Sequence, residues 1–65
     1  MKVHINNQAH ELPTGATLAD AIAVLQPASP FAAAVNMTFV PNVRYRETPL
    51  HEGDRIDVIA PVTGG

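Results

Sequence analysis

Only one segment of this chain has helical periodicity, and it is too short to stand alone. In TLADAIAVL, residues 17–25, Leu18, Ala21, Ile22 and Leu25 fall at i, i+3, i+4 and i+7 and form one apolar stripe. Thr17 takes the N-cap place, and Asp20 three residues later completes a weaker form of the capping box. Pro27 and Pro30 close the element. A helix of about two to three turns is marginal in water, so its stripe must be covered by something else. The rest of the chain reads as strand and turn. An α+β arrangement follows, with one helix packed across one face of a mixed sheet of four to five strands.

The strands are read from alternation. In KVHINNQAHEL, Val3 and Ile5 alternate with His4, and Asn6-Asn7 is a turn pair because asparagine tolerates positive φ. Gln8 to Leu12 is then the returning strand. FAAAVNMTFVP reads as two short strands about a turn at Asn36-Met37, although an alanine run is an unusual strand former. NVRYRETPL is expected to be irregular, with one helical turn. In LHEGDRIDVIA, Gly53-Asp54 makes a turn. Arg55 to Ile59 then forms a strand, with Ile56 and Val58 on one face and Asp57 and Ile59 on the other. The large aliphatic core is expected at Val3, Ile5, Leu12, Leu18, Ile22, Leu25, Val35, Val40, Leu50, Ile56 and Val58. Residues 1–59 form the domain and residues 60–65 an extended, flexible C-terminal tail.

Composition removes several functional classes. At 65 residues the chain is one small domain with a thin core, which leaves little room for a deep catalytic pocket. It has no cysteine, hence no disulfide, thiolate metal site or cysteine nucleophile. His4, His10 and His51 lack a metal-binding spacing and read as exposed or edge residues; no metal is expected. Net charge is −2 with only four basic residues, which argues against nucleic acid as a partner. No apolar stretch is long enough to span a membrane and no signal peptide is apparent, so the default compartment is the cytoplasm. Glu52, Asp54 and Asp57 alternate around a turn and read as solvated carboxylates, not as an acid–base pair. Arg44, Tyr45 and Arg46 are too few for nucleic acid. Phe39 and Ile59 are the apolar residues hardest to place inside; either they complete the core or, with Arg44 and Tyr45 of an otherwise solvated loop, they are candidates for a partner-docking surface.

The C-terminal PVTGG raises a separate question. Glycine costs the most backbone entropy to order, so folding alone does not call for Gly64-Gly65. At about 7% average usage, such a pair falls in two given places by chance in roughly one chain in 200.

Taken together, the short β-β-α-β order, VNMTFVP in the middle, LHEGDRIDVIAPVTGG at the end and the terminal glycine pair resemble the ThiS family. Its members are ubiquitin-like sulfur carriers of thiazole formation in thiamine biosynthesis, with a β-grasp fold. The resemblance spans essentially the whole chain. Two positions depart from it: Met37 stands in a turn where the family often has glycine, and Asn42 follows the proline where a basic residue is common.

The resemblance implies a carrier and not an enzyme. A ThiF-like adenylyltransferase, using ATP and Mg²⁺, would activate the Gly65 carboxylate. The resulting thiocarboxylate would deliver sulfur to a ThiG-like thiazole synthase. The chain itself binds no cofactor, contributes no catalytic residue and is expected to be a monomer when free. The physical logic fits: a carboxylate is a poor electrophile until it carries a leaving group. Pro61, Val62, Thr63 and Gly64 would thread into the partner. Glycine lacks a Cβ, and Pro61 biases the chain toward extended geometry. The six residues beyond Ile59 reach about 20 Å when extended. The small subunit of molybdopterin synthase, or another sulfur carrier, has the same tail chemistry. In a different class, a β-grasp binding module resembling TGS domains would use the sheet and need no free end.

Overall fold

Both residues of each hairpin turn adopt positive φ: Asn6 and Asn7 at +50° and +67°, Asn36 and Met37 at +49° and +70°. Two consecutive left-handed residues give a turn whose twist matches that of the flanking strands, so Asn6-Asn7 and Asn36-Met37 each close a tight antiparallel hairpin. This computed structural model describes residues 1–27 and 30–60. The first hairpin joins β1 (Lys2–Ile5) to β2 (Gln8–Glu11), and the second joins β3 (Ala32–Val35) to β4 (Thr38–Val40). The last strand, β5 (Arg55–Ile59), lies between them, parallel to β1 and antiparallel to β3. The sheet order is β2-β1-β5-β3-β4.

The helix α1 (Leu18–Leu25) begins where its cap was expected. The Thr17 backbone N–H donates to Asp20 Oδ2 at 2.8 Å, and the Thr17 hydroxyl donates to the same oxygen at 3.3 Å. Gln26 ends it with a left-handed residue at φ +51°, whose N–H donates to the Ile22 carbonyl at 2.8 Å. Between β4 and β5, Asn42–Glu47 forms a 3₁₀ segment of about two turns, longer than the single turn expected. The following residues are pinned to the start of α1, with Leu18 N–H to the Thr48 carbonyl at 2.8 Å and Leu50 N–H to the Ala16 carbonyl at 3.0 Å.

The core lies between α1 and one face of the sheet. Val3, Ile5, Leu12, Leu18, Val40, Leu50, Ile56 and Val58 are buried as the sequence predicts. Ile22, Leu25 and Val35 are only partly buried and pack around the rim. Ala16, Ala21 and Ala33 fill the centre instead. A sheet of three- to five-residue strands under an eight-residue helix has too little depth for a large side chain at every inward position. Ala21 on the helix and Ala33 on β3 are both fully buried, and small side chains there suit a thin, densely packed interior. The alanine run thus has a packing reason, since Ala33 lies directly between Val40 and Val58 in the register.

Candidate functional site

Strand β5 is the described element nearest in sequence to residues 61–65, and it is held on both edges. Its central position gives it a hydrogen-bonding neighbour on each edge, and two asparagines add side-chain clasps. Asn6 Oδ1 accepts the Val58 N–H at 2.9 Å while Asn6 N–H donates to the Ile56 carbonyl at 2.9 Å. On the other edge, Asn36 Oδ1 accepts the Arg55 N–H at 3.0 Å and Asn36 N–H donates to the Arg55 carbonyl at 2.7 Å. Both hairpin turns therefore hold β5 as well as their own strands.

Gly53 enters β5 at φ +86°, a conformation that a side chain would strain. Asp54 is half-buried rather than solvated, and its role is structural. Its carboxylate accepts from the His51 N–H at 2.8 Å and from Asn36 Nδ2 at 3.0 Å. Glu52 is exposed and accepts the Lys2 N–H at 2.9 Å. His4 and His51 are exposed, and His10 is half-buried on the edge strand β2. Among the described residues, no group of three or more His, Asp or Glu could hold a metal ion, and no helix is long and apolar enough to cross a membrane.

The sheet face away from α1 carries a different surface. Phe39 is 65% exposed on β4 and Ile59 is 67% exposed on β5, with β3 between them. The β3 side chains on this face are Ala32, opposite Ile59, and Ala34, opposite both Phe39 and Asp57. Short methyl side chains flanked by longer ones make a valley. The groove has a volume of about 220 Å³, with Met37, Phe39, Asp57 and Ile59 along its sides. The structure thus brings Phe39 and Ile59 together. It places Arg44 and Tyr45 elsewhere, on the 3₁₀ segment that packs against α1. Tyr45 is half-buried, stacked on Phe31 with ring centroids 6.1 Å apart and 17° between planes. Arg44 is exposed.

Met37 and Asp57 also line the groove: the sequence places Met37 only in a turn and reads Asp57 as solvated, whereas Asp57 is half-buried. Strand alternation places Asp57 beside Ile59 on the outer face, but alternation alone does not reveal alanines across from it. Pro61, Val62, Thr63, Gly64 and Gly65 lie outside the described residues.

The ThiS family model matches residues 3–65, which is nearly the entire chain. The chain belongs to the ThiS family. No curated protein sequence matches it significantly. Among solved structures, the crystal structure of the thiamine biosynthesis protein ThiS from Geobacter metallireducens superposes with a TM-score of 0.80 at 14% identity, covering 100% of both chains. A solution structure of a thiamine biosynthesis protein from the same organism gives the same score and identity, covering 100% of this chain and 88% of that one. At that identity the likeness is one of fold. The ThiS match and these neighbours establish the expected β-grasp, a mixed five-stranded sheet carrying one helix.

Proposed function

We propose that this ThiS-family chain is a sulfur carrier of thiazole formation in thiamine biosynthesis, and that Gly65 is the residue that bears the sulfur. The observation that carries this reading is the family match through residue 65, which includes Gly64-Gly65. In the first step a Gly65 carboxylate oxygen attacks the α-phosphorus of ATP, and pyrophosphate leaves. A sulfur nucleophile then adds to the acyl carbon, AMP departs, and a thiocarboxylate remains. Adenylation is needed because a carboxylate lacks a usable leaving group. Bringing it to a polyphosphate sets like charges together, and Mg²⁺ and cationic groups of a ThiF-like partner offset that repulsion. A ThiG-like synthase takes the sulfur. The chain is therefore a co-substrate and not the catalyst.

This protein supplies reach and docking. Ala60, which follows β5, and the five residues after it span at most about 20 Å, so an enzyme holding Gly65 has its surface close to Ile59. Phe39 and Ile59 form an apolar face beside that point. Arg44 offers a charged contact on the other side of the sheet, and Tyr45 holds its segment against α1.

Incubation with ATP, Mg²⁺, sulfide and a ThiF-like enzyme, followed by intact and C-terminal-peptide mass spectrometry, tests the reading. The expected result is replacement of one oxygen by sulfur, confined to Gly65. Adding one residue after Gly65 should abolish it. An unchanged terminus, with a known carrier converting alongside, would refute the thiamine assignment; conversion only by a molybdopterin-type activator would reassign the pathway.

A further inference from the structure

The outer groove is apolar except for one group. Asp57 is half-buried along the groove's side, opposite Ala34, and among the described residues no ion pair or side-chain hydrogen bond engages its carboxylate. Arg55 lies two residues earlier on the same face, but its guanidinium Nη2 reaches Asn7 Oδ1 at 3.4 Å instead. Lys2 and His4 lie on the neighbouring strand β1, with His4 opposite Arg55 in the register, and neither pairs with Asp57. A purely apolar partner laid over this groove would remove the remaining water from an unpaired carboxylate, which strongly disfavours docking. An acidic partner would add repulsion. A cation is what the site lacks.

We propose that Asp57 selects a partner segment presenting an arginine beside an apolar side chain. The inference rests on the carrier reading for the identity of that partner, the activating adenylyltransferase. Phe39 and Asp57 are both register partners of Ala34, on opposite sides of it. Strand spacing sets their backbones roughly 9–10 Å apart, with only a methyl group between them. A guanidinium seated over Ala34 can pair with the carboxylate through two N–H donors while lying against the Phe39 ring. Lysine, a compact point charge, cannot offer the planar fork to the carboxylate and a flat face to the ring at once. The neighbouring apolar side chain occupies the valley over Ala32 toward Ile59. Asp57 is thus a specificity residue of the docking face and takes no part in the acyl chemistry at Gly65.

The test is titration calorimetry of the full chain with a ThiF-like adenylyltransferase, together with steady-state thiocarboxylate formation, at low and at physiological salt. Asp57→Asn should bind about tenfold more weakly and with a smaller salt dependence, and Asp57→Arg should bind at least about a hundredfold more weakly. The kinetic effect should fall on the KM for the carrier, with kcat at saturating carrier preserved. Glu11→Gln, on the far edge strand, should bind like the unmodified protein. Amide spectra of each variant establish that it is folded, as expected at Asp57 for a carboxylate without internal partners. If Asp57→Asn and Asp57→Arg bind normally while Phe39→Ser does not, the role of Asp57 is overturned and the carrier reading stands. Equal losses in Glu11→Gln and Asp57→Asn overturn it too, in favour of general electrostatics. Sedimentation showing a dimer that Asp57→Arg disrupts makes a second copy the occupant and overturns it likewise. No binding and no thiocarboxylate from the unmodified protein, with an enzyme active on a known carrier, overturns both readings together.

Discussion

Asn36 in the second hairpin turn donates its side-chain amide to Asp54 Oδ1 at 3.0 Å, joining two segments eighteen residues apart. The same side chain accepts the Arg55 N–H at 3.0 Å, so one asparagine bridges the turn before β5 and the first residue of that strand. VNMTFVP and GDRI, the two stretches that carry the family resemblance, meet here. Replacing Asn36 with glycine keeps the positive φ and removes only the clasps. We expect Asn36→Gly to lower stability by about 1–2 kcal/mol. In a double-mutant cycle, Asp54→Ala should cost measurably less in the Asn36→Gly background than alone, read by urea denaturation.

Met37 is the next test of that turn. It holds φ +70° and is 86% exposed, so its side chain gains little by burial while its backbone sits in a region costly for residues with a Cβ. Met37→Gly should stabilise the domain by about 0.5–1 kcal/mol, seen as a higher Tm. Unchanged or lower stability would mean that its contact along the groove outweighs the strain.

Ala33 and Ala34 are neighbours in β3 with opposite surroundings. Ala33 is 1% exposed beneath the helix, whereas Ala34 lies on the groove side of the sheet. Ala33→Leu should destabilise by about 1–3 kcal/mol through overpacking. Ala34→Leu should leave stability within about 0.5 kcal/mol and fill the groove, lowering affinity for the adenylyltransferase. Thermal unfolding and titration calorimetry separate the two effects.

Phe39 offers a contrast between folding and docking. At 65% exposure it contributes little to the core, so Phe39→Ser should cost under about 1 kcal/mol of stability. Partner affinity should fall more than about tenfold, because an exposed aromatic anchor dominates the contact it makes. Denaturation and binding measured on the same preparation check both halves.

Much of the fold is legible locally, because hairpins and caps are short-range devices. Asn6-Asn7 needs only its own tolerance for positive φ, and Thr17 with Asp20 needs only one turn of helix. Val3, Ile5, Ile56 and Val58 follow from alternation alone. Ile22 and Leu25 pack against the core but are only partly buried, because helical periodicity reports which side faces inward, not how far the sheet extends beneath it. Asp54 reads as solvated in the sequence and is half-buried in the fold, because its partner Asn36 belongs to a distant turn. The groove was half visible: Phe39 and Ile59 stood out as apolar residues without a place, whereas Asp57 gained its setting only when β3 was laid beside β5.

Local sequence accounts for the capped helix, the two hairpin turns and the inward faces of β1 and β5. Each depends on dihedral preferences or side-chain period within a few residues. Tertiary structure alone decided that β5 runs between the two hairpins, that Asn6 and Asn36 clasp it from both edges, and that Phe39 and Asp57 face each other across Ala34. Those relationships come from strand order and register, which are set by burying one shared face under α1 and so require the whole chain at once.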